Sequence, residues 1–415
     1  MNKLIFFYIL ILLLLDFNKF ELFEDIYFQK FNLCVLIIKI ILFLLIIYTF
    51  INKKYSQIIS LNISAILLCF FIFEIYLLYF FSNNEKNQIT KLEFLQNLKT
   101  SHNRVFPNYL PYLAIQSNGI NFSNNIIFPL SGISNSVTTF DNELGFFPVI
   151  KTDKYGFHNT LENIIEKKVE ILLLGDSYAE GYSVNSQENI AHVLAQDFKQ
   201  VMNLGKSGNG PLIEFATLSE YGNFFKPKYI LWLYCQNDIV NLRNELESST
   251  LRKYLFQESF SQDLIKRQTE IDNAITQFIN LEQHSIINKI TKFINFHKTT
   301  SIIKRKYLNM TTTKKDLILF KEILKKSNDR VKDWNGKLYF VYLPTIHRYI
   351  NNQEHYLLKD VKRMVKDLNI PFIDIHEEVF VKVKDPMMYI PPGGINHYNE
   401  EGYKFTSEAI KNNLK

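Results

Sequence analysis

Val169-Glu170-Ile171-Leu172-Leu173-Leu174-Gly175-Asp176-Ser177 is an apolar run that ends in a glycine turn, and a helix-favouring stretch follows from about Ile190 to Gln200. Run length and the flanking glycine predict a strand, a loop and a helix. The same unit recurs at residues 201–205 (VMNLG), 229–235 (YILWLYC), 337–344 (KLYFVYLP) and 371–375 (PFIDI), separated by helical segments. Strands this apolar belong in a parallel sheet covered on both faces, so residues 166–415 read as an α/β domain. A polar, helix-favouring stretch, about 241–315, interrupts the rhythm. It reads as a solvated helical insertion or as a lid or partner surface over the site.

Upstream, residues 86–165 are irregular and rich in Asn and Ser, with strand-like pieces at 137–140 and 145–150, and read as an extension or linker. Residues 1–85 read as a membrane region. The segments 33–51 and 59–81 match the roughly 20 apolar residues that span a bilayer. The shorter run 4–15 lacks a small-residue cleavage site and is expected to form a third helix, about 4–20. Lys3, Lys53 and Lys54 mark the cytoplasmic side, which places the amino terminus inside and everything after residue 82 in the periplasm or outside a bacterial inner membrane. Lys39 and Glu74 sit roughly 9 to 10 Å inside their spans at 1.5 Å per residue and are expected to pair. The partners so implied are membrane lipids.

Composition removes other classes. With 47% hydrophobic and 21% charged residues the chain is neither disordered nor fibrous. Its net charge of +6 comes from Lys and Arg spread thinly, without the basic, aromatic-studded patch of a nucleic-acid binder. Cys34, Cys69 and Cys235 form neither a disulfide framework nor a metal-ligand spacing. Of the 14 glycines, eight fall in the windows 175–181, 205–210 and 393–402, where the backbone must turn sharply or approach a ligand.

Four blocks lie at or beyond strand ends, where reactive groups collect in open parallel sheets. Gly175-Asp176-Ser177 exposes a serine hydroxyl at a strand-to-helix turn, or simply caps the helix. Asn203 to Gly210 contains Gly205-Lys206-Ser207, but a phosphate loop needs a glycine five residues before the Gly-Lys pair, and position 200 is Gln. Nucleotide binding is rejected on that ground; the loop is an ordinary tight turn or aims an N–H at a developing oxyanion. Asn237-Asp238 offers a side-chain amide to the same oxyanion, or a turn-forming pair. His397, between Gly393-Gly394 and Gly402-Tyr403, is a structural histidine or a base.

In this order and together, the four blocks resemble those of the SGNH or GDSL hydrolase superfamily, over about residues 166–415 apart from the insertion. The resemblance implies a flavodoxin-like fold with helices on both faces of the sheet. It makes Ser177 the nucleophile and His397 the base, and it assigns the oxyanion hole to Ser177, Gly208 and Asn237. No metal or cofactor is implied. Two positions depart from the pattern: Cys235 stands where the third block has Gly, and Gly394 where the last has an acid. What remains is a Ser177-His397 dyad, for which Asp374 and Asp385 are the nearest candidate orienting acids; His376 is an alternative base. The stretch from Asp141 to Asn159 is similar to the segment that precedes this domain in membrane-attached relatives, with nothing catalytic inferred from it.

The expected protein is therefore a membrane-anchored serine esterase, acyl hydrolase or acyltransferase. It would act on ester groups, O-acetyl groups among them, of cell-surface glycans or lipids outside the cytoplasm. The reading from another class is a catalytically inactive relative that binds glycans or serves assembly. The missing acid favours it, and the retained Ser177, Gly208, Asn237 and His397 oppose it.

Overall fold

The computed structural model describes residues 53–83, 89–159, 169–284, 314–350, 354–390 and 397–414, with 40–48 and 290–303 in part. The chain divides into two compact units: Met1–Gln88 with Glu282–Thr311, and Ile89–Leu281 with Thr312–Lys415.

The first unit contains helix α1, Lys53–Asn83. Within it Gln57–Leu77, 21 residues, is long and apolar enough to cross a membrane. Ile58, Leu61, Ile66, Leu68, Ile72 and Ile75 of this helix are exposed. The expected helix 4–20, most of 33–51 and Lys39 lie outside the described residues. Glu74 is buried, and its carboxylate accepts hydrogen bonds from the N–H groups of Lys298 (2.8 Å) and Thr299 (2.9 Å) and from the Thr299 hydroxyl (2.7 Å). Its partners among the described residues thus come from the insertion.

The second unit is built on a five-stranded sheet. Its strands are β1 (Ile171–Leu174), β2 (Val201–Asn203), β3 (Tyr229–Tyr234), β4 (Lys337–Tyr342) and β5 (Phe372–Asp374). The order is β2-β1-β3-β4-β5, all parallel, the doubly wound order whose chain reversal lies beside β1. Side chains alternate between two cores as the pleat requires. Leu172, Leu174, Ile230, Trp232 and Phe340 face one core. Ile171, Leu173, Leu231, Leu233 and Val341 face the other, where helices α2 (Ile190–Leu194) and α3 (Glu400–Leu414) contribute Ile190, Leu194, Tyr403 and Ile410. Each fully buried side chain of this size contributes about 1.5 to 3 kcal/mol, so the alternation fixes the register of the sheet.

Two expectations need correction. The extension is no linker, because Tyr109, Ile127, Phe128, Tyr155 and Phe157 are buried in the first of those cores. Asn159 ties it to the sheet edge by donating to the Asn203 carbonyl (2.9 Å) and accepting from the Asn203 N–H (2.7 Å). The insertion is not a solvated helical arm for most of its length either. Leu242, Leu251, Leu255, Leu264, Ile271 and Ile275 are buried in that same core, an apolar stripe that the charged outer faces of these helices conceal in the sequence.

Candidate active site

Strand β1 ends at Gly175, whose φ of +150° and close neighbours, the Leu233 carbonyl and the Ala179 methyl, exclude a side chain. The chain then turns into the short helix Ser177–Glu180, capped by Asp176, whose carboxylate accepts the Tyr178 N–H (3.0 Å). This turn presents Ser177 to His397, with Oγ 2.7 Å from Nε2.

On the far side of the ring, His397 Nδ1 lies 2.8 Å from Glu143 Oε2 and 3.1 Å from Oε1. A carboxylate can only accept, so Nδ1 carries the proton and Nε2 is free to accept from the serine. The imidazole is also flanked by aromatic rings, with centroids 4.8 Å away at Tyr182 and 5.1 Å at Tyr178. Tyr182 donates to Asp141 (2.6 Å), and Asp141 pairs with Lys91 (2.8 Å). Burial raises the Asp141 pKa, but Lys91, Tyr182 and His397 outweigh it and hold the carboxyl below its usual range. Glu143 additionally accepts from the Ser183 hydroxyl, and Ser183 takes a left-handed φ of 77° to reach it.

The orienting acid therefore comes from the extension, and neither candidate named from the sequence occupies that place. Asp374 is paired with Lys362 (2.6 Å) and accepts the His376 N–H (3.0 Å). Asp385 accepts the Met387 N–H (2.9 Å) and caps the turn Pro386–Tyr389. His376 meets the Tyr349 hydroxyl (3.0 Å) rather than a serine. Gly394 lies outside the described residues.

Asp176 also organises the third block. Its Oδ2 accepts from the Asn237 amide (3.2 Å) and from the Cys235 thiol (3.1 Å), while the thiol sulfur lies 2.7 Å from Asn237 Oδ1. Cys235 thus replaces the usual glycine with a donor that fixes the Asn237 amide. The Cys235 thiol and the Asp176 and Asp238 carboxylates present ligand-type atoms within 4.8 Å of one another. Burial, reinforced by the charges of Asp176 and Asp238, pushes the thiol pKa well up, which favours the thiol as a hydrogen-bond donor to Asp176.

The second block owes its shape to Glu180. The carboxylate accepts from the Lys206 ammonium and from the N–H of Ser207 (2.8 Å), and Lys206 also donates to Asn108 (2.7 Å). Burial raises the Glu180 pKa, but Lys206 and Ser207 win, leaving the carboxyl lowered. The Gly-Lys-Ser tripeptide consequently supplies a buried ion pair that locks this loop to the helix Ser177–Glu180. Next to it Gly208 has a φ of +78°, and a Cβ there would collide with the ring of Tyr112. Replacing Lys206 by Met strands the Glu180 charge, and such a break in a buried pair is expected to cost about 3 to 5 kcal/mol. Urea denaturation checks this, with a loss under about 1 kcal/mol contradicting it.

Beneath the site lies a group of buried acids. Glu245 accepts the N–H groups of Gly210 (2.6 Å) and Leu212 (2.8 Å), yet burial pushes its pKa up to about 8. Glu214 has no hydrogen-bond partner among the described residues, and burial followed by the charges of Asp238, Glu245 and Asp176 raises its pKa well above the usual range. An acid raised in the folded state stabilises fully below the unfolded value of about 4.3, and that stability is lost as pH rises through the folded value. The melting temperature should therefore fall between about pH 5 and 9, and Glu214→Gln should flatten the decline. An identical pH slope in the variant, followed by circular dichroism, would contradict the assignment.

A family model described as GDSL-like Lipase/Acylhydrolase matches residues 171–410. No curated protein matches the chain. Among solved structures, the lipase/acylhydrolase from Enterococcus faecalis is 12% identical, with 59% of this chain and 95% of that one covered and a TM-score of 0.35. TesA is also 12% identical, with 59% and 98% covered and a TM-score of 0.35.

Proposed function

The chain belongs to the GDSL-like lipase/acylhydrolase family and is a hydrolase acting on ester bonds, and from that premise we propose that it is a membrane-anchored serine acyl hydrolase or acyltransferase working through Ser177, His397 and Glu143. The observation that carries this reading is the unbroken relay from Glu143 Oε2 through His397 to Ser177 Oγ, with steps of 2.8 and 2.7 Å.

In the proposed cycle His397 Nε2 takes the Ser177 proton as Oγ attacks the acyl carbonyl. The N–H groups of Ser177 and Gly208 and the Asn237 amide hold the oxyanion. His397 returns the proton to the departing alcohol, leaving an acyl-serine. Water, or the hydroxyl of a glycan, then gives its proton to His397 as it attacks the acyl carbonyl, and His397 passes that proton to the departing Ser177 Oγ, restoring the free serine. Glu143 holds the tautomer and stabilises the imidazolium that forms. The argument for an inactive binding protein rests on the acid missing at position 394, and Glu143 instead sets an acid against His397 Nδ1.

Anchoring is supported by the exposed apolar surface of α1. Lys53 and Lys54 at its start mark the cytoplasmic end, which puts the catalytic unit on the periplasmic or outer side. Acylated cell-surface glycans or lipids, O-acetylated ones among them, are then the substrates within reach. Aryl-acetate turnover by the detergent-solubilised full chain, with and without added glycan acceptors, tests the chemistry. Hydrolysis accelerated or diverted by an acceptor identifies transfer. A folded protein that turns over no ester would overturn the proposal.

A further inference from the structure

The outermost part of the insertion, Glu282–Thr311, groups with the apolar helix α1 and not with the catalytic unit. Its sequence suits a different solvent from that of the rest of the insertion. Between Lys289 and Lys306 there are six basic residues, no acid, and a series of interleaved isoleucines and phenylalanines. A basic amphipathic stretch of this kind suits a membrane surface.

The contacts give this stretch a depth. Phe296 packs against Phe70 and Phe71, with centroids 5.7 and 4.8 Å apart, and Phe293 against Phe71 at 5.5 Å. The chain turns at Phe296, which has a φ of 50°, and continues into helical residues 298–303. The first N–H groups of that turn of helix, on Lys298 and Thr299, are the ones bonded to Glu74. Glu74 lies three residues inside the end of the apolar stretch Gln57–Leu77, about 5 Å at the rise of a helix and shallower than the span 59–81 expected from the sequence would put it. In a low-dielectric layer an open helix start and a lone carboxylate are each costly, and here each satisfies the other. Meanwhile Ile290, Ile302 and Ile303 remain 52, 42 and 49% exposed.

We infer that the described part of this stretch, Ile290 to Ile303, is an interfacial membrane element docked on α1 through Glu74 and the phenylalanine cluster, with Ile290, Ile302 and Ile303 entering the acyl boundary of an anionic phospholipid bilayer. The inference rests on the reading of α1 as a membrane-spanning helix. It makes the excursion a second point of attachment.

The test uses the full chain in vesicles of phosphatidylcholine and phosphatidylglycerol, with Cys34→Ser and Cys69→Ser as background and Cys235 left in its buried position. A bimane fluorophore is placed at Ile302→Cys, at Ile66→Cys on the exposed face of α1, and at Val381→Cys on the catalytic unit. Quenching by doxyl-labelled lipid is then compared. The inference predicts several-fold stronger quenching at 302 than at 381, nearer the level at 66. Strong quenching at 66 with only the 381 level at 302 overturns the inference and leaves the anchor standing. Weak quenching at both 66 and 302 overturns the anchor as well.

Discussion

Glu143→Gln is expected to lower kcat for an aryl acetate by about 10⁴ while leaving the fold intact. The magnitude is that of replacing a triad acid by its amide, where geometry survives but the imidazole tautomer does not. In this protein the amide would face His397 Nδ1 with a donor as readily as with an acceptor. A donor there forces the proton onto Nε2, which then points an N–H at Ser177 and has no lone pair to take the serine proton. The amide still accepts from Ser183, so the melting temperature should change little. Steady-state kinetics with a matched thermal melt checks both halves. A loss under about tenfold would mean that His397 is oriented by something other than Glu143, and the dyad reading would return.

Ser177→Ala is expected to be more damaging still, by about 10⁶ in kcat, since removing the nucleophile of such a unit costs about as much as removing all of it. The residual rate would come from the oxyanion hole and binding alone. The Ser177 side chain carries little of the fold, because the cap and the turn are made by Asp176 and Gly175. The variant should therefore purify and melt like the parent. Turnover within tenfold of the parent would remove Ser177 from the chemistry and direct attention to another nucleophile.

The contrast between these two residues shows what the sequence makes legible. Ser177, Gly208, Asn237 and His397 each sit in a local backbone device, a glycine turn or a capped helix start, and such devices leave short patterns. The sheet was equally readable, because strands buried on both faces, such as 229–234, must be apolar at nearly every position. Glu143 leaves no such trace. It lies 254 residues from His397 in the chain, and its place beside the imidazole is created by the packing of the extension against the sheet. The only signal was the stretch beginning at Asp141, similar to a segment that precedes this domain in relatives, and nothing local distinguishes its acids from solvated ones. Asp374 and Asp385 are the nearest acids along the chain, and proximity along the chain is a poor guide when the groups sit on separate loops at the sheet's edge. The spacing around Lys206 does not fit a phosphate loop, but its partner Glu180 leaves no local trace, since a buried ion pair between two loops has no periodicity to betray it.

The insertion gave a related lesson. Charged positions on its helices suggested a solvated arm, whereas the apolar positions at helical spacing, among them Leu251, Leu255, Ile271 and Ile275, complete the core. Only Glu282–Thr311, which carries no acid after its first residue, groups apart from the catalytic unit.

The central claim, an activated serine at position 177, is tested most directly by covalent capture. The solubilised full chain is treated with a fluorophosphonate, digested, and the modified residue identified by mass spectrometry. The account predicts one adduct, on Ser177, formed rapidly in the parent and at least a hundredfold more slowly in Glu143→Gln and His397→Ala, in line with the contribution of general base catalysis. An adduct on a different residue, or none in protein that melts cooperatively, would contradict it.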